Sequence, residues 1–154
     1  MSANGVIEQE WRKISNTLDE VDSIRRKYSK LLAGLVEVGN DAMHLVPEFS
    51  VAVDAASETA IVKSFAGESS IRLAWSADAE CLDGVALVTS PKRGGKGEHT
   101  VLHVHLPGYG DPYVDVDGGE QLTQSSFHRG KFLYAILMMI VRKHVDLSTL
   151  PQEN

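Results

Sequence analysis

The hydrophobic repeat of this chain changes near residue 48, and that change constrains the fold more than any other feature. Ile7, Trp11, Ile14, Leu18, Val21, Tyr28, Leu32 and Leu35 are spaced alternately by four and three, with one interruption at Arg25. A spacing that averages three and a half returns to one side of an α-helix, so residues 1–40 are expected to form one long helix with a narrow apolar stripe. Its opposite side is charged through Glu8, Arg12, Asp19, Asp22, Arg26 and Lys30, and Gly39-Asn40 supplies a stop. So narrow a stripe resembles a coiled-coil seam more than a broad core face. The helix is therefore expected to pack either on its own domain or on a second copy.

From residue 48 to 117 the repeat becomes two. Phe49, Val51 and Val53 alternate with Ser50, Ala52 and Asp54, and Ile71, Leu73 and Trp75 alternate with Ser70, Arg72 and Ala74. Further runs at 59–65, 85–90, 99–106 and 113–116 bring the expected strands to about six, joined by links too short for parallel crossovers. An antiparallel meander follows. Residues 124–145 then read as a helix, apolar all round from Phe132 to Val141, which must be buried against the sheet and against something else. Residues 146–154 read as a loose tail. The fold class is α+β in a single domain spanning 1–154: long N-terminal helix, antiparallel sheet, buried C-terminal helix packed on the sheet.

Composition narrows the function. The net charge of −6 works against diffuse nucleic-acid binding, which needs clustered cations along a phosphate backbone. One cysteine, Cys81, excludes an intrachain disulfide and a multi-cysteine zinc site. The longest apolar run, 132–141, is too short to span a bilayer, and the first residues carry no cationic segment followed by an apolar run. A cytoplasmic, non-membrane protein is expected, and no cofactor is assigned.

Two stretches are candidate sites. "SPKRGGKGEHT" sets Lys92, Arg93 and Lys96 among glycines, an arm able to touch an anionic surface, though it lacks the spacing of a phosphate-binding loop. "VLHVHLPGYGDPYVDVDGG" places His103, His105, Tyr113 and Asp115 between apolar residues. If Leu102, Val104 and Leu106 share a face with Val114 and Val116, directly paired residue numbers sum to an even value. A three-residue loop, 108–110, satisfies this and sets His105 opposite Tyr113, His103 opposite Asp115 and Val104 opposite Val114. The result is a surface of His, Tyr and Asp about two strands wide, which reads first as a set of ordinary cross-strand contacts and second as a candidate ligand or metal site.

No catalytic residue is assigned, because Ser125, Ser126 and His128 lack the strand-turn-helix elbow of a nucleophile. His44 and His144 sit at element ends, where a cap or solvent role is ordinary. The expected function is a small acidic protein-binding module, an adaptor, inhibitor or chaperone-like protein, forming a homo-oligomer and holding a protein partner. The alternative is a ligand- or metal-binding domain, or an enzyme, built on the His103, His105, Tyr113 and Asp115 face.

Overall fold

The computed structural model describes residues 3–77, 82–92, 94–116, 120–124 and 131–149. The chain runs α1 (Ala3–Ala42), β1 (Ser50–Asp54), β2 (Thr59–Ser64), β3 (Gly67–Ala77), β4 (Leu82–Pro91), β5 (Glu98–Pro107), β6 (Tyr113–Asp115), β7 (Gln121–Thr123) and α2 (Lys131–Ser148). The strands form one sheet in the order β1-β2-β3-β4-β5-β6-β7, each pair antiparallel. This is the α+β meander between two helices that the change of period implies. A seventh strand, Gln121–Thr123, joins the expected six, because three residues are too few to show an alternation.

Parity assigns the faces. Ala60, Val62, Ile71, Ala86, Val88, Val104, Leu106 and Val114 point to one side and are buried there. Both helices cover that side. α1 crosses the sheet from the end where β4 begins and β5 finishes to the far edge at β1. A Cβ on Gly84 of β4 would collide with Ile24, and one on Gly39 would press on Val51 of β1. Gly39, expected as a stop, is inside the helix, where its missing side chain admits the edge strand.

The docked length of α1 buries Ile24, Tyr28, Leu31, Leu32 and Leu35. Polar groups anchor it as well. Tyr28 Oη donates to the Glu58 carbonyl at 2.5 Å, Ser23 Oγ donates to Gly108 O at 2.9 Å and Lys27 Nζ donates to Pro107 O at 2.6 Å. Burial, with Glu58 beside it, pushes the Tyr28 hydroxyl up to about 12, so it stays a donor.

α2 buries Phe132, Ile136, Leu137, Ile140, Val141 and His144. Its apolar girth finds cover from the sheet on one side and from α1 on the other, where a Cβ on Gly34 would strike Leu133. The helix therefore needs no second copy to bury it. It continues through Ser148, so residues 146–148 belong to helix rather than to a loose tail. Residues 125–130, which include the expected caps Ser125 and Ser126, lie outside the described residues, as do 150–154 and Cys81. Among the described residues no helix is long and apolar enough to cross a membrane.

Candidate functional site

Among the described residues the opposite face of the sheet carries no helix, and the hairpin of β5 and β6 displays its polar residues there. The register is the one parity requires: Val104 pairs with Val114 and His105 with Tyr113. The connection is longer than expected, five residues from Gly108 to Pro112, with Gly110 at a φ of 104° that favours glycine. Paired residues on the bare face stack, as the His105 and Tyr113 rings do at 4.6 Å between centroids and 11° between planes. Burial and the carboxylates of Asp115 and Asp83 raise the Tyr113 hydroxyl above its ordinary value, so it is a neutral donor near pH 7.

Asp115 engages the histidine one step along from the expected one. Its Oδ2 lies 3.2 Å from Nε2 of His105, across a diagonal, while His103 stands edge-on to His105 at 6.2 Å. The paired ladder between β5 and β6 ends at Val104 and Val114, so Asp115 has room to lean. A β-bulge between β4 and β5 in the same region skips Val101 in the pairing. The packing of both Val101 and Leu102 against the core accompanies that irregularity. Thr100, Val101, Leu102, His103, His105 and Asp115 thus line a shallow depression of about 250 Å³. Among the described residues no group of three or more His, Cys, Asp or Glu converges as a metal would need. The arrangement offers one His–Asp pair, a stacked phenol and a second imidazole edge-on to the first, in a lining that is partly polar and partly apolar.

Lys92 and Lys96 do not join this face. They sit at the β4–β5 hairpin tip, five or more residues beyond His103 along β5, which is about 17 Å of strand. Gly94, Gly95 and Gly97 all take positive φ there, and Lys92 N–H closes the turn on Gly97 O at 3.0 Å. Arg93, the third cation of the expected arm, lies outside the described residues.

His144 departs from its expected place at a helix end. It is buried in the α2–sheet contact, with Nδ1 2.8 Å from Ser64 Oγ and Nε2 2.6 Å from Ser69 Oγ, which is 2.6 Å from Ser90 Oγ. Ser64 Oγ also accepts Ala66 N–H. The chain of donors closes if Ser64 donates to Nδ1, Nε2–H donates to Ser69, and Ser69 donates to Ser90. Burial lowers the His144 pKa against the opposing pull of Glu68, which favours the neutral ring this chain needs. Ser69 and His144 are both sealed from solvent, so this serine–histidine pair has no room for a substrate and serves as a polar lock.

The least satisfied surface is on α1. Residues 6–19 expose every side, and Ile7, Trp11, Ile14 and Leu18 are 50 to 70% accessible. The apolar stripe from Ile7 to Leu35, continuous in sequence, is split in space: its second half lies in the core and its first half stands exposed among the described residues. At the base of the free half two more aromatics are exposed, Trp75 on β3 and Tyr109 in the β5–β6 connection. Alternation places Trp75 on a strand with Ile71 and Leu73, and Tyr109 falls in the expected loop, but neither pattern tells that these rings stay uncovered beside α1. No protein-family model, curated protein or solved structure matches the chain.

Proposed function

We propose that this chain is a protein-binding module, an adaptor, inhibitor or chaperone-like protein that works in the cytoplasm by presenting the free half of α1, and that it self-associates. The observation that carries the reading is the uncovered stripe Ile7, Trp11, Ile14 and Leu18, on a helix whose continuation is fully docked. Contiguous exposed apolar groups bordered by charge are characteristic of surfaces that bind other proteins. With one cysteine the chain has no intrachain disulfide to maintain, which suits a reducing compartment. Its negative charge disfavours nucleic acid, leaving the Lys92, Arg93 and Lys96 tip as a local exception.

The test compares wild type with Ile14→Glu, a change on the free stripe that touches nothing in the core. Wild type is expected to exceed monomer mass in light scattering at micromolar concentration and to retain defined proteins from its native host, with both properties lost in the variant. Identical behaviour of the two proteins would remove the stripe from the binding function.

A second reading places a small ligand in the depression beside His103, His105 and Asp115, favoured by its mixed lining, in which Val101 and Leu102 adjoin Thr100 and the polar side chains, and by the stacked Tyr113. It gives the face a binding role without a metal. Stoichiometric zinc in the purified protein would replace it with a metal site.

A further inference from the structure

We propose that the free arm of α1 docks on the same arm of a second copy in antiparallel orientation, with Ile7 against Leu18 and Trp11 against Ile14 of the other copy. This rests on the protein-binding reading above and names its occupant.

The spacing of the stripe is the first argument. The intervals between Ile7, Trp11, Ile14 and Leu18 are four, three and four, the same in both directions. A two-fold axis perpendicular to the helix, passing between Arg12 and Lys13, therefore maps the stripe onto itself and stacks it in complete layers. Volume favours this sense. The antiparallel layers set Trp11 on Ile14 and Ile7 on Leu18, so that no layer holds two large rings, whereas a parallel pair crowds Trp11 onto Trp11 and leaves thinner layers on either side. Charge agrees. Glu8 and Glu10 come beside Ser15 and Thr17 of the other copy, so no like charges face each other across the antiparallel seam.

Length supplies the second argument. The exposed segment 6–19 spans about 21 Å of helix, so in an antiparallel pair each tip lies at the base of the other arm. There the Glu20 carboxylate accepts Leu82 N–H at 3.2 Å, and Ser23 holds Gly108 O, directly before the exposed Tyr109. Trp75, exposed beside them, pairs with Gly84, the residue over which Ile24 packs. Val6 and Ile7 of the second copy thus arrive where two uncovered aromatics wait. The own sheet cannot serve this purpose, because α1 already stands at the strand ends by residue 20.

Area closes the argument. The exposed parts of Val6, Ile7, Trp11, Ile14 and Leu18 amount to roughly 600 Å² per copy, about 1,200 Å² for the pair, the lower bound of a stable specific interface before Trp75 and Tyr109 are added.

The experiment uses the full chain with Cys81→Ser and two separate variants, Ile7→Cys and Leu18→Cys, carrying tags of different mass and checked for wild-type circular dichroism. Mixed and mildly oxidised, the two are expected to give a mixed disulfide dimer, while each alone remains uncrosslinked, since two copies of residue 7 stand about 16 Å apart along an antiparallel pair. Sedimentation of the chain without cysteine changes provides an independent measurement. Leu18→Glu should raise the dissociation constant by at least about 100-fold, because the two-fold axis repeats every lost contact. Self-crosslinking of each variant alone would overturn the antiparallel pairing and leave the protein-binding reading standing. A wild-type monomer at all concentrations, with a different protein bound in a stripe-dependent way, would overturn self-docking only. A monomer that binds nothing through the stripe would overturn both.

Discussion

The two halves of α1 belong to one helix and one apolar repeat, yet one half is core and the other is surface. Residues 24 to 35 lie over the sheet with Ile24 and Leu35 fully buried, while Ile7, Trp11, Ile14 and Leu18 stand free. The sheet repeats the contrast across its thickness. One face is closed by both helices, and the other presents His103, His105, Tyr113 and Asp115 to solvent. Periodicity states which side of an element seeks cover; the length of the element it lies on decides whether cover exists. α1 is 40 residues long, about 60 Å of helix, and the sheet beneath it is too short to match.

The largest test of this contrast compares equal truncations. Leu35→Ala opens a cavity in a closed core and is expected to lower unfolding free energy by about 2–5 kcal/mol, at any protein concentration. Leu18→Ala should act only through association, so its effect on the urea midpoint should shrink as the protein is diluted. Equal, concentration-independent losses at both positions would mean that the arm folds back onto its own chain.

A smaller effect separates the two faces by pH. The folded His144 pKa lies below its ordinary 6.5 because burial disfavours the charged ring. The unfolded chain therefore takes up this proton first on acidification. The contribution of His144 is complete above about 6.5 and is lost as pH falls from there through the folded value. Urea midpoints should be flat between pH 7 and 8 and fall below about 6.5, and His144→Gln should flatten that acid limb. An unchanged acid limb in the variant would place the sensitivity outside the α2–sheet contact.

The smallest effect is expected on the bare face. His103→Ala combined with His105→Ala removes one stacked cross-strand contact and one partly exposed His–Asp contact, and should cost no more than about 1 kcal/mol. Mass in solution should not change. A loss of several kcal/mol on thermal or urea unfolding would show that this face is covered in the working protein.

Much of this architecture can be read from residue order because local physics repeats there. Alternation at Phe49–Asp54 and Ser70–Trp75 marks strands, and parity alone places Val104 on Val114 and His105 on Tyr113, since a slip by one residue would turn every apolar side chain to water. β7 escapes because three residues have no period. His144 escapes because its two serine partners lie 75 and 80 residues away in the chain, a relation invisible until α2 lies on β2 and β3.

What the sequence by itself determined is the identity of the elements and the side of each that is apolar, because helix and strand periods are properties of neighbouring residues. Tertiary structure alone decided which apolar surface is satisfied. Arg25 marks only an interruption in the sequence, yet close by, between Glu20 and Ile24, α1 passes from free arm to docked helix, because Ile24 meets Gly84 at the end of the sheet and none of the described residues covers the stripe beyond it. Burial depends on where an element ends relative to its neighbours, a distance that no periodicity records. The same reason holds for the histidine face: alternation sets its direction, and only the placement of both helices on the other side left it open.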